Sequence, residues 1–317
     1  MKAPRLILLA LVALAAAVTA AGASAASTDV SANWGGYVVT GVDALTGAAK
    51  NFTTVSATWT EPAANCSSAA QSGSSTSSAF WVGIGGDQQG SQSLEQTGTE
   101  ADCNANGVPT YTAWYELVPA ASVPVKLRVA AGDKISGSVH VNGTAVTVKL
   151  QDLTRKTSFT RTLSMASPDT TSAEWIAEAP SSCTSDGRCV ETSLTNFGTV
   201  KFSSTKATTS DGHTGTITDP AWSSDAVTLD TSSGSSPFGR YGMNQGSAEA
   251  TPSALSASGS AFTIAYSQSD DSATGGSAGE YPSYPGGDYG GGGFGGGGFG
   301  GGGFGGGGFG GGGGYYG

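Results

Sequence analysis

Five short segments of this sequence carry side chains that could do chemistry together. They are Asn33-Trp34-Gly35-Gly36-Tyr37, Trp81-Val82-Gly83-Ile84-Gly85-Gly86-Asp87, Leu94-Glu95-Gln96-Thr97-Gly98, Tyr111-Thr112-Ala113-Trp114-Tyr115-Glu116 and Ala173-Glu174-Trp175-Ile176-Ala177-Glu178. Along a strand, successive side chains alternate between faces. Thr112, Trp114, Glu116 and Val118 then share one face, Glu174, Ile176 and Glu178 share one, and Trp81, Gly83 and Gly85 share another. Carboxylates beside tryptophans on a sheet face suit a groove for an extended chain, peptide or sugar, with carboxyl groups moving the protons. Any one of these residues alone reads as a core tryptophan or a rim glutamate; five such segments in order do not.

Other chemistries find little support. The two histidines are His140, two residues before Asn142-Gly143, and His213, in the turn-like Asp211-Gly212-His213-Thr214. No H-E-x-x-H element is present, which disfavours a zinc peptidase. A G-x-S-x-G match at Gly275–Gly279 lies in low-complexity sequence, without the strand before and helix after that a nucleophile elbow needs. Asp169-Thr170-Thr171 and Asp230-Thr231-Ser232 only loosely echo the D-[ST]-G elements of aspartic peptidases, so two aspartates sharing a proton are not indicated.

The elements that must hold these residues are strands. Val125, Leu127 and Val129 alternate with Lys126 and Arg128, and Val146, Val148 and Leu150 alternate with Thr147 and Lys149. Val139 and Val141 lead into Asn142-Gly143, a strong hairpin signal. Further strands are expected at 34–40, 52–60, 79–85, 92–98, 110–118, 157–163, 172–178, 198–203, 214–218, 225–230 and 260–266, and no window after the first residues shows a helical period. The pattern predicts an all-β fold, a large antiparallel β-sandwich of the concanavalin-like kind with two packed sheets.

Composition divides the chain into residues 1–25, 26–268 and 269–317. Lys2 and Arg5 precede an apolar run from Leu6 to Val18, and Ala23-Ser24-Ala25 fits a signal-peptide cleavage site, so a secreted, extracellular protein is expected. The run is too short for a membrane span, which needs about 20 residues. Cleavage leaves 12 basic against 24 acidic residues, a net charge of −12. That balance argues against nucleic acid as a partner and suits work in acid, where carboxylates take up protons. From residue 269 the sequence becomes Ser, Gly and Tyr-Pro. Phe294, Phe299, Phe304 and Phe309 are then each preceded by four glycines, a composition expected to be disordered, with aromatics that could serve weak surface or self-association. Cys66, Cys103, Cys183 and Cys189 suggest disulfides in an exported chain. Three pairings are open; the turn-rich Thr184-Ser185-Asp186-Gly187 favours Cys183–Cys189, leaving Cys66–Cys103.

The order N-W-G-G, W-V-G-I-x-G-D, Q-T-G, Y-x-A-W-Y-E and A-E-[FW]-I-x-E resembles the glutamic peptidases, the scytalidoglutamic and aspergilloglutamic enzymes or eqolisins, here as a bacterial-type member. The resemblance covers roughly residues 29–268. It implies two large antiparallel sheets with a groove on a concave face. It places the catalytic glutamine on Gln96 and the catalytic glutamate on Glu178, with Trp34, Trp81, Glu116 and Trp114 in the substrate groove and no chemical step for Glu174. Gly85 and Thr112 stand where the fungal enzymes have aspartates, and Val118 where one has tyrosine, which removes acidic groups from the groove. The implied activity is hydrolysis of peptide bonds in acid by a monomer acting on protein or peptide substrates. Glu178 would take a proton from water and return one to the leaving amine, and Gln96 would hold the water and donate to the oxyanion. No metal, cofactor or covalent intermediate is required. The rival reading is a carbohydrate-binding or glycoside-cleaving lectin-like sandwich, in which Glu116 and Glu178 would imitate an acid/base pair. Gln96 has no obvious use there. A non-catalytic surface protein with an adhesive tail is a third.

Overall fold

The computed structural model describes residues 28–42, 46–88, 91–183, 189–232 and 248–268 and the backbone of Gly307–Gly308; the side chains of 182–190 are outside this set. The predicted signal segment 1–25, and all of the tail but Gly307–Gly308, lie outside the described residues. Among those described, no helix is long and apolar enough to cross a membrane. In chain order the strands are β1 (Thr28–Ser31), β2 (Trp34–Thr40), β3 (Phe52–Thr60), β4 (Ala79–Ile84), β5 (Leu94–Cys103), β6 (Pro109–Val118), β7 (Val123–Pro124), β8 (Lys134–Asn142) and β9 (Ala145–Asp152). They continue with β10 (Thr157–Ser164), β11 (Ser172–Glu178), β12 (Ser181–Cys183), β13 (Cys189–Glu191), β14 (Thr199–Thr209), β15 (Thr214–Gly215), β16 (Ser223–Asp230), β17 (Ala248–Pro252), β18 (Ala261–Gln268) and β19 (Gly307–Gly308).

Fourteen of these strands form one antiparallel ladder in the order β10-β9-β8-β3-β14-β18-β17-β16-β2-β11-β4-β5-β6-β7. The ladder doubles over, so the two expected sheets are two halves of one hydrogen-bonded path. Side chains from both halves meet in a single core: Phe52, Val55, Trp59, Val139 and Val148 from one, and Phe80, Val82, Tyr115 and Trp175 from the other. Indole hydrogen bonds cross between the layers. Trp175 Nε1 donates to Ser56 O at 2.9 Å, and Trp59 Nε1 donates to Thr99 Oγ1 at 2.9 Å. Fully burying aromatic rings of this size contributes a few kcal/mol each.

Most of the strand pattern read from alternation is present, and Asn142-Gly143 does turn β8 into β9, with Gly143 at φ +58°. Val125–Val129 is an exception. It is not a strand, although Leu127 and Val129 are buried in the core. Alternation reports which side chains are buried; Val125 N–H still bonds Ala113 O on β6, but the tight turn from Leu127 N–H to Val125 O ends the pairing while Leu127 and Val129 stay buried. The reading also missed a short helix, α1 (Ser67–Ser72), closed by Gly73 at φ +66°. Six residues are too few to display a 3.6-residue period. A disulfide joins Cys66, just before α1, to Cys103 at the end of β5. The loop it closes, 37 residues in separation, corresponds to about 4 kcal/mol on the chain-entropy account. Cys183 lies opposite Cys189 in the β12–β13 register, but their side chains are outside the described set, so that pairing has only its backbone register.

Some acids are buried in this fold away from any cation. Glu61, 1% exposed, accepts a hydrogen bond from Thr99 Oγ1, yet burial pushes its pKa up to about 8. Burial likewise raises Glu95 to about 8. Below the ordinary glutamate value of roughly 4.5, the folded and unfolded chains both hold these protons. Between roughly 4.5 and 8 only the folded chain holds them, so stability falls as pH rises, by about 1.4 kcal/mol per pH unit for each such group. Thermal melts followed by circular dichroism should therefore give a Tm that declines from pH 4 to pH 8. Glu61→Gln should make that decline shallower. A Tm independent of pH would contradict this account.

Candidate active site

Strand register brings the five sequence segments onto one face, in three rows that run across the sheet. The first holds Trp34 on β2, Glu178 on β11, Ala79 on β4, Glu100 on β5 and Thr112 on β6. The second holds Ile176, Trp81, Gly98 and Trp114, and the third Glu174, Gly83, Gln96 and Glu116. Directly opposed residues on neighbouring strands point to the same side. The core takes the alternate residues: Trp175 on β11, Phe80 and Val82 on β4, Tyr115 on β6. Trp34, Trp81, Trp114, Ile176 and Val118 make a second, smaller apolar cluster around the rows.

Glu178 is 4% exposed and its two oxygens are separately held. Trp81 Nε1 donates to Oε2 at 2.7 Å, and Asn33 Nδ2 donates to Oε1 at 3.3 Å. Asn33 is oriented in turn by the Ser31 hydroxyl, which donates to its Oδ1 at 3.1 Å. The sequence reading quoted Asn33 within N-W-G-G but gave it no part; nothing in the spacing alone shows that it reaches Glu178, 145 positions away. Trp34 stands edge-on to Trp81, with ring centroids 5.1 Å apart. Two glycines make room for the Trp81 indole. A Cβ on Gly83 would lie 2.8 Å from its ring, and one on Gly98 would lie 2.6 Å from its Cβ. The glycines of W-V-G and Q-T-G are thus packing requirements of the side chain that binds Glu178.

Gln96, 1% exposed, donates from Nε2 to Glu116 Oε2 at 2.7 Å. Its Oε1 is buried without a hydrogen-bond partner, as are Trp34 Nε1 and Trp114 Nε1. Buried polar atoms almost always find partners. An acceptor and two donors left open on one face fit an amide backbone laid across it, which offers both kinds of group. All six residues read as the site, Gln96, Glu178, Trp34, Trp81, Glu116 and Trp114, therefore sit together.

Charge is unusual here. Burial and then the neighbouring Glu116 push Glu178 up to about 8, against the favourable N–H groups of Trp81, Trp34 and Asn33; Trp34 acts from outside hydrogen-bonding geometry. Glu174 is fully buried, which drives its pKa well above the ordinary range. Glu100 was not singled out from the sequence, although the spacing 96, 98, 100 puts it on the same face as Gln96. The expected loss of acid at Gly85 is offset by a loop. Gly85 has φ +84°, and a Cβ there would lie 2.5 Å from Asp169 O. Burial pushes the Asp169 carboxyl up, but hydrogen bonds from Ser91, Thr171 and the Gly86 N–H outweigh it and hold the pKa below the usual value. Thr112 lies across from Glu100, and Val118 lines the apolar cluster.

The histidines take no part in this face. His140 Nδ1 pairs with Thr54 Oγ1 at 2.9 Å and His213 Nε2 with Asp219 Oδ1 at 3.0 Å, both at exposed positions. Glu116 is tied to Gln96, a residue for which the glycosidase reading has no use.

Comparison with known proteins agrees with this geometry. Two solved structures are similar over 74% of this chain and 98% of theirs. One is scytalido-glutamic peptidase with a transition state analog inhibitor, at 28% identity and a TM-score of 0.55. The other is scytalido-glutamic peptidase with a peptide based transition state analog, at 26% identity and a TM-score of 0.51. No curated protein sequence matches the chain. Residues 32–237, which contain all three rows, match the Peptidase A4 family. The chain therefore belongs to the Peptidase A4 family and is a glutamic-type endopeptidase.

Proposed function

We propose that this protein is an exported endopeptidase that cleaves unfolded proteins in acid, with Gln96 and Glu178 as its catalytic pair. The observation that carries the reading is the arrangement of open and engaged polar atoms. Glu178 is held at both oxygens, while Gln96 Oε1 and the indole N–H groups of Trp34 and Trp114, buried on the same face, have no hydrogen-bond partner. The Cys66–Cys103 disulfide supports an oxidising, extracellular setting, and the 14 basic against 24 acidic residues support work at low pH.

Ionised Glu178 takes a proton from water as that water attacks the substrate carbonyl, then returns it to the departing amine. Trp81 and Asn33 stabilise the ionised form and fix its direction. Gln96 spends one Nε2 hydrogen on Glu116, which fixes the amide plane, and keeps the second for the oxyanion. Such a donor contributes about 3–4 kcal/mol in the transition state. In acid only a small fraction of Glu178, raised to about 8, is ionised, and the buried acids of the fold destabilise it as pH rises through the same range, so the optimum falls where the gain in ionised Glu178 is overtaken by the loss of folded enzyme.

Digestion of an unfolded protein across pH 3–7, with and without pepstatin, should show cleavage that pepstatin does not affect. Gln96→Ala and Glu178→Ala should each lower kcat by about 100-fold or more; wild-type rates in both variants would sink the assignment. Trp81→Phe removes the N–H that favours ionised Glu178, a charge-assisted bond of about 1.5–3 kcal/mol. Its acidic limb of kcat/KM should move to higher pH by about one unit, and an unmoved limb would contradict the role given to Trp81.

A further inference from the structure

Glu100 shares a row with Glu178, and only Ala79 stands between them. Adjacent strands lie about 4.8 Å apart, so the two glutamates stand two strand spacings apart on one face, with only the alanine methyl group between them. Their surroundings differ. Glu178 receives N–H groups from Trp81 and Asn33. Among the described residues no hydrogen-bond donor reaches the Glu100 carboxyl, whereas its neighbour Asp102 takes the Ser78 N–H at 3.2 Å. The groups facing the two carboxyls are Glu116 on β6, Asp102 on β5, the neutral Thr112 opposite Glu100, Ala79 and Trp81 on β4, and Trp34 and Asn33 beside β2. The charges acting on Glu100 are all acidic.

We infer that Glu100 is a positioning residue for the reaction, holding the proton that Glu178 must lack, so that the working site carries one carboxylate and one carboxylic acid across Ala79. Donors stabilise charge on Glu178 and none do so on Glu100, which decides where a single shared proton resides. Burial first, then Asp102, Glu178 and Glu116, raise Glu100 to about 8, and Glu178 is raised as far, so it is the donors to Glu178 that place the charge there. Glu178 has taken up the proton of the attacking water by the time the oxyanion forms, so with Glu100 neutral the pair carries no charge beside it. Once Glu100 ionises, its charge opposes both the oxyanion and the ionisation of Glu178, and activity falls. Glu100 thereby sets the upper pH limit of the chemistry, apart from the unfolding that limits it independently.

The inference rests on Glu178 as the general base, and its test separates the two. In the full-length protein labelled with [13C]glutamate, with Glu178→Gln used for assignment, the Glu178 carboxyl should titrate in two steps. In Glu100→Gln it should titrate in one. In a Glu61→Gln background, which keeps the fold intact to higher pH, Glu100→Gln should move the alkaline limb of kcat upward by about one pH unit, with KM following no such trend. Glu100→Leu serves as a second variant and should move the limb the same way. A one-step titration of Glu178 in the parent protein, or a limb that stays in place in both variants, overturns the proposal. Full activity in Glu178→Ala, with the two-step titration still seen in the parent, would instead overturn the general-base reading alone.

Discussion

The pleat of β11 ties the core to the chemistry. Trp175 points inward and donates its indole N–H to Ser56 O in the opposite layer, while Glu174, Ile176 and Glu178 point outward from the same seven residues. A shift of β11 by one residue would carry Glu178 into the core and expel Trp175. The strand is also paired along both edges, to β2 and to β4. Those two neighbours bring in Trp34 and Trp81, and the residue just before β2 brings in Asn33. The site is thus built on a strand whose register the core cannot relax, which suits a constellation that must hold its geometry before substrate arrives.

The second constraint is electrostatic. Among the described residues, ion pairs join Arg155 to Asp133 and Asp152, and His213 to Asp219. None of these residues lies in the rows of the site. Among the described residues no cation reaches Glu61, Glu95, Glu174 or Glu178 to offset the loss of water, and for them retaining a proton is the less costly state. With 24 acidic and 14 basic residues the chain has few cations to spend. Buried acids that keep their protons cost the fold nothing in acid and destabilise it toward neutrality, and in the proposed mechanism the same property sets the range in which Glu178 acts. Stability and chemistry respond to pH through one kind of group.

Much of this was legible in the sequence. Period-two alternation showed β3, β8, β9 and β11, and Asn142-Gly143 marked the β8–β9 turn. It misled at Val125–Val129, where burial alternates past the end of the strand pairing, and it could not register α1, which is a turn and a half long. The candidate residues were legible as a set because five segments in order carried them. Asn33 and Glu100 were less so. Asn33 acts on a residue far away in the chain, and Glu100 matters only because β4 presents an alanine between it and Glu178.

What the sequence determined by itself was the alternation of faces and the identity of the groups on them: tryptophans, carboxyls and one glutamine, set among few cations. Backbone stereochemistry makes that a local property, since side chains along a strand alternate wherever the strand lies. Only the tertiary structure decided which strands are neighbours and in what register. That choice set Glu178 under Trp81 and Asn33, Gln96 against Glu116, Glu100 across Ala79 and Asp169 against Gly85. Strand order and register come from the packing of two layers around one core, which couples residues far apart in the chain and leaves no local mark.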